Sequence, residues 1–187
     1  MLVRIGQIQK QGGRITVRNV LERQRITVVF FAIYLVMLVW VLLFKMQFSL
    51  AYLPHVQTIN LVPYAASAMV NGSVDISEII QNALVYVPFG FFAAALLRNR
   101  PVWQKLLLIA GTSVAIEALQ YALAVGRSDI TDVINNFAGG VLGLLLYALV
   151  RRMCKTEVKT LTVVNVICIM ASAVMLALMG ALIVANL

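Results

Sequence analysis

At 187 residues, 62% hydrophobic and with a mean hydropathy of +0.95, the chain is too apolar for a soluble domain, whose apolar fraction is a little under half; it reads as an integral membrane protein. Its formal charge of +8 sits in blocks beside apolar runs, a pattern of membrane orientation rather than of a nucleic-acid surface, and no nucleic-acid partner is expected. Two cysteines, Cys154 and Cys168, separated by a basic segment, and one isolated histidine, His55, offer no disulfide, no metal site and no cofactor motif.

Residues 1–25 carry Arg4, Lys10, Arg14, Arg18, Arg23 and Arg25 and read as a cytoplasmic tail able to lie against anionic headgroups. Within it, residues 14–20 alternate in a way that suits a strand or no element at all. Residues 26–44 are uncharged and form the first span. That run exceeds the apolar core of a secretory signal, so Ser49-Leu50-Ala51 is read as loop and the span as an uncleaved anchor. Residues 45–78 make a long outer loop with Pro54, Pro63, Asn71-Gly72 and the acids Asp75 and Glu78. Loops of that length usually have a task or some structure of their own. Asn60-Leu61-Val62-Pro63-Tyr64 is expected to be a compact extended segment, because proline turns the residue before it away from helix.

The second span covers residues 79–97, entered through Gln81 and Asn82 and kinked at Pro88-Phe89-Gly90, where a backbone donor is missing. A re-entrant path is the alternative, and charge decides between them. If the segment crosses, the six basic residues of the tail share one side with Arg98, Arg100, Lys105, Arg151, Arg152, Lys155 and Lys159, leaving Lys45 and Arg127 on the other. If it does not cross, that bias disappears. Residues 106–125 and 133–150 form the third and fourth spans, joined by a tight turn at 126–132. Residues 161–185 form the fifth, apolar apart from small hydroxyls and Asn165. The expected fold is all-α, a polytopic protein with five transmembrane helices, amino terminus inside and carboxyl terminus outside. It divides into a basic tail (1–25), a four-helix membrane domain (26–150), and a basic loop with the fifth helix (151–187).

Residues 112–143 concentrate the polarity. Glu117 lies eleven residues along the third span, about 17 Å into a core of roughly 30 Å, where a carboxylate must be protonated or paired. Ser113, Glu117, Gln120, Tyr121 and Ala124 follow the spacing of one helix face, which must turn toward protein or water. The fourth helix presents Asp132, Asn136 and Gly139, Gly140 and Gly143, and the small-xxx-small spacing allows close backbone approach. Asn136 is expected to come near Glu117, with Asn82 completing the floor of an outward pocket. Arg127, Asp129 and Asp132 follow in the turn. There Asp129 and Asp132 also suit a helix start, with a cap and a first-turn acid, while Arg127 suits an anion.

In order, Asn60-x-x-Pro63-Tyr64, Asn82, Val87-Pro88-Phe89-Gly90-Phe91, Glu117-x-x-Gln120, Arg127-Ser128-Asp129-Ile130-x-Asp132, Asn136 and Gly139-Gly140-x-x-Gly143 resemble the VanZ-like family of bacterial membrane proteins over about residues 26–150. The resemblance implies a multi-pass protein of the bacterial cell membrane. Members resembling the name-giving protein are associated with low-level resistance to teicoplanin and related lipoglycopeptides, which implies action at the cell envelope. One reading is a pocket for a lipid headgroup or lipid-linked wall precursor, with Arg127 on the anionic group and Asn60, Gln120 and Asn136 as neutral partners. The alternative is a membrane-embedded enzyme acting on a lipid-linked phosphate or ester, with Glu117 or Asp132 as acid or base, though no nucleophile constellation accompanies them. Proton-coupled transport is a third reading, disfavoured by five spans without an internal repeat unless the chain forms a homo-oligomer.

Overall fold

The computed structural model describes residues 2–44, 56–64, 69–70, 73–74, 76–154 and 156–185. Lys45, Ser49-Leu50-Ala51, Pro54, His55, Asn71-Gly72, Asp75 and Lys155 lie outside the described residues. Five long helices dominate: α1 (Leu2–Phe44), α2 (Ile76–Leu96), α3 (Val102–Leu123), α4 (Ile130–Cys154) and α5 (Glu157–Ala185). Among the described residues, the segments Val20–Leu43, Ile79–Leu96, Val102–Leu123 and Ile130–Cys154 are long and apolar enough to cross a bilayer. α5 carries no charged residue after Lys159. Large apolar side chains such as Val36, Leu107, Leu145 and Met170 stay exposed on the outside of the bundle, as expected of a helical protein solvated by lipid.

Two expectations are corrected. Residues 14–20 form no strand; with the rest of residues 2–25 they continue the helix of the first span. Gly6 and Gly12-Gly13 oppose helix there, and a span already formed removes the cost of nucleation. The connection after α3 is not a tight turn over 126–132 either. Val125–Asp129 forms a strand, β4, paired in parallel with β1 (Val56–Asn60), with Val56 opposite Val125 and Asn60 opposite Asp129. Gly126 and Asp129 are of types depleted in strands, so this strand exists because a distant partner supplies its ladder. Two short strands, β2 (Met69–Val70) and β3 (Ser73–Val74), pair antiparallel on either side of Asn71-Gly72.

The central pair of the bundle is α2 against α4, and glycine sets its spacing. A side-chain carbon at Gly139 would land on the Ala83 carbonyl oxygen, one at Gly143 on the Val87 carbonyl oxygen, and one at Gly90 on the Gly140 carbonyl oxygen. The two backbones touch there, as the small-residue spacing of α4 led us to expect. α1 packs on this pair through rings: Phe31 and Tyr34 meet Phe92 with centroids 5.2 and 5.6 Å away. α2 runs helical through Pro88, which has no N–H for the Leu84 carbonyl. One residue on, the Tyr34 hydroxyl donates to the Val85 carbonyl at 2.6 Å. α5 is held to α1 by a buried polar staple in which the Thr27 hydroxyl donates to Asn165 Oδ1 at 2.6 Å and Asn165 Nδ2 donates to the Arg23 carbonyl at 3.0 Å.

Gly143→Ala therefore drives a methyl into backbone of α2, with the Phe91 nitrogen 2.7 Å away, and is expected to destabilise by about 1–3 kcal/mol. Gly111→Ala meets nothing within 4 Å and is expected to stabilise by up to about 1 kcal/mol. Thermal unfolding of the two variants in detergent checks the opposite signs.

Candidate functional site

The polar residues of the motif meet at one end of the bundle, where α3 ends, α4 begins and β1 crosses between them. Glu117 stands six residues before the end of α3, nearer that end than a span over residues 106–125 implied, because the helix stops at Leu123. Glu117 is 5% exposed, and its Oε2 accepts the Asp129 N–H at 2.8 Å. The bond fastens β4 to α3 and gives a buried carboxylate the donor it requires.

Asp129 is the hub of the strand pair. Its side chain accepts from Asn60 Nδ2 at 3.1 and 3.0 Å, which follows from their places directly opposite one another in the ladder. Its Oδ1 also accepts the Thr131 N–H at 2.9 Å, the bond of an N-cap at the first turn of α4. Arg127, with a side chain 45% exposed, pairs with Asp129 at 3.6 Å. Burial pushes the Asp129 carboxyl up, but the Asn60 amide, the Thr131 N–H and hydroxyl, and the Arg127 guanidinium outweigh it and hold the group below its ordinary value. On the β1 side, the Asn60 amide also donates to the Val62 carbonyl at 3.1 Å, and the Tyr64 N–H donates to Thr131 Oγ1 at 2.9 Å. Tyr64 sits at φ 59, a left-handed conformation that costs a bulky residue energy and is kept where surroundings enforce it.

Beside this clasp lies a cavity of about 510 Å³. Its polar lining is Gln81, Asn82, Glu117, Gln120, Asp132 and Asn136, and its apolar wall comes from α1 and α2 through residues such as Leu42 and Val85. Asn82 Nδ2 donates to Asp132 Oδ1 at 2.6 Å, joining α2 to α4. Gln120 Nε2 donates to the Leu42 carbonyl at 2.8 Å, an acceptor left over in the last turn of α1. That bond fixes which end of the Gln120 amide is which. Gln120 Oε1 is then buried without a hydrogen-bond partner, as is Asn136 Oδ1, whose Nδ2 donates to Ser113 Oγ at 3.1 Å. Two unmet acceptors and two carboxylates, with no cation among the lining residues, make a pocket that calls for hydrogen-bond donors.

The sequence-nominated residues thus divide. Asn82, Glu117, Gln120, Asp132 and Asn136 share the cavity. Asn60, Arg127 and Asp129 do not line it; they form the clasp at its edge, reached through the Glu117 to Asp129 bond. Sequence reasoning passed over Thr131, the acceptor for Tyr64, although its place between two acids in a helix's first turn was a signal. It had no access to the Leu42 carbonyl, which any residue would present. Among the described residues, no three metal-ligating side chains gather.

The family model described as VanZ/LLP1 matches residues 31–151, a range that contains the clasp, the cavity and the glycine contact and excludes α5. Protein VanZ of Enterococcus faecium is 35% identical over 120 residues, covering 63% of this chain and 71% of that protein. No solved structure matches.

Asn60→Leu removes the amide donor from both Asp129 oxygens and is expected to cost about 1–3 kcal/mol. The folded-state value of Asp129 lies below its unfolded value of about 4, so its contribution is complete above that pH and fades as pH falls through the folded value. With the Asn60 donor gone, the folded value moves up toward the unfolded one, so the window narrows and less stability is lost within it. Thermal unfolding measured from neutral pH down to about pH 3 checks both the size of the cost and the narrowing of the window.

Proposed function

The chain belongs to the VanZ/LLP1 family, and on that footing we propose that it is a multi-pass protein of the bacterial cell membrane whose cavity binds the headgroup of an envelope lipid or lipid-linked wall precursor. In this reading the chain crosses five times with its amino terminus in the cytosol, α2 bends at Pro88, and the cavity opens outward. The distribution of basic residues supports that orientation, since Arg98, Arg100, Lys105, Arg151 and Arg152 cluster at the end opposite the cavity. The observation that carries the proposal is the donor-seeking lining built by Glu117, Gln120, Asp132 and Asn136 between membrane-length helices. Sugar hydroxyls, amides or an ammonium satisfy such a lining, and half-exposed Arg127 on β4 takes the anionic part of the same molecule. Occupying a lipid-linked precursor in this way lowers susceptibility to teicoplanin-type drugs.

The pairing of Glu117 and Asp132 on one cavity supports a second reading, acid–base action on a lipid-linked phosphate or ester. Mass spectrometry of the gently extracted protein, together with incubation on labelled envelope lipids, separates the two. For a binding protein, Gln120→Leu and Arg127→Gln each reduce lipid retention by about tenfold, the loss expected for one buried or charge-assisted hydrogen bond, and teicoplanin susceptibility rises with them. For an enzyme, Glu117→Gln leaves the lipid bound and abolishes its turnover. Retention and susceptibility unchanged in all three variants overturn both.

A further inference from the structure

The opposite end of the bundle holds a second cavity, and its chemistry is the reverse of the first. A space of about 490 Å³ between α3 and α4 is lined by Lys105, Arg151, Arg152 and Tyr147 together with the apolar side chains of Val102 and Leu144. A smaller space of about 140 Å³ adjoins it through the shared Tyr147 and Arg151 and adds Arg98.

Lys105 is the residue that needs explaining. It is 9% exposed as a whole residue, and among the described residues no ion pair joins it to a carboxylate. A largely covered cation with no opposite charge beside it is disfavoured. Its neighbours add to the cost, since Arg151 lines the same cavity. It also sits in the first turns of α3, whose N-cap, Pro101, makes no side-chain capping bond and whose first turn holds no acid, so the positive end of the helix repels it. Arg98 adds a second unmet demand. Its Nε pairs loosely with the exposed Glu157 at 3.7 Å, while its Nη1 is buried with no partner. Arg151 and Arg152 alone are ordinary, because they close the last turn of α4, where cations complement the helix dipole. Lys105 and Arg98 are not covered by that explanation.

We propose that this pocket is an anion site that holds a phosphate group, with Lys105, Arg151 and Arg152 around the phosphate oxygens and Arg98 at its inner edge. A bound phosphate removes the like-charge repulsion, supplies acceptors to Lys105 and the α3 terminus, and gives Arg98 Nη1 a partner. The apolar half of the lining and the exposed Trp103, next in sequence to Val102 and of a residue type that settles at membrane interfaces, fit a phospholipid whose chain runs along Val102 and Leu144. A free phosphate satisfies the same cations without that chain. The site does not depend on the outward cavity: it lies at the other end of α3 and α4 and shares no residue with it.

The test is thermal unfolding of the full-length protein, delipidated in detergent, with phosphatidylglycerol, phosphatidylcholine or inorganic phosphate added. Wild type is expected to unfold at higher temperature with phosphatidylglycerol than with phosphatidylcholine. Lys105→Gln is expected to unfold at or above the wild-type temperature without lipid, since it removes an uncompensated charge, and to weaken the phosphatidylglycerol response by about tenfold or more. Arg151→Gln weakens the response likewise. A response to phosphatidylglycerol alone assigns the site to a lipid; a response to inorganic phosphate that Lys105→Gln also weakens assigns it to a soluble phosphate. Equal behaviour with all three additives, or a Lys105→Gln protein that keeps the full response, overturns the proposal.

Discussion

A carboxylate can stay inside an apolar bundle only where the fold brings donors to it, and for Glu117 the donor is the backbone N–H of Asp129 at 2.8 Å. Much of the site follows from that requirement. The bond fixes β4 against α3, so Val125–Asp129, one residue beyond the helix, are held extended. Held extended, they offer a ladder to β1, and the register sets Asn60 opposite Asp129. Asp129, now restrained by Asn60 and Arg127, caps α4 and sets where that helix begins. Asp132 and Asn136 then fall one and two turns on, over the cavity that Glu117 lines. One buried acid thus organises a chain of contacts running from the loop after α1 to the first turns of α4.

The counterpart of this polar clasp is the glycine contact between α2 and α4. Side chains at Gly139, Gly143 and Gly90 would strike backbone, so their absence lets the two helices lie together and carries Asn82 within 2.6 Å of Asp132. Close packing also removes adaptability, and the cavity therefore has one firm wall. Its opposite wall, from α1, is tied in by Gln120 on the Leu42 carbonyl and by the Tyr34 hydroxyl on the Val85 carbonyl, beside the ring cluster of Phe31, Tyr34, Phe89 and Phe92.

Composition and local pattern made the helices legible, because runs of apolar residues bounded by charge have few other solutions in a membrane. The glycine spacing of α4 and the capping role of Asp129 were legible for the same reason: both are local rules. The strand pair was not. Val125-Gly126-Arg127-Ser128-Asp129 has the composition of a turn, and its partner lies some seventy residues earlier in the chain, so only tertiary contact reveals it. The helical form of residues 2–25 was also hidden, since basic composition speaks of solvent and not of conformation. Grouping Arg127 and Asn60 with Glu117 captured the right neighbourhood. It did not separate residues that build the edge of the cavity from those that line it, a distinction that depends on the register of two strands.

The two ends of the bundle carry opposite chemistry, acceptors at the cavity of Glu117 and cations around Lys105, and their assignment to the two faces of the membrane is what the functional proposal depends on. The direct measurement is labelling of intact cells with a membrane-impermeant maleimide, using chains that carry Cys154→Ser and Cys168→Ser. Gln81→Cys, at the mouth of the acceptor cavity, is expected to react from outside, and Arg152→Cys, at the basic end, only after the cells are opened. Reaction of Arg152→Cys from outside, with Gln81→Cys shielded until lysis, would place the cavity on the cytosolic face and contradict a role in binding envelope precursors from without.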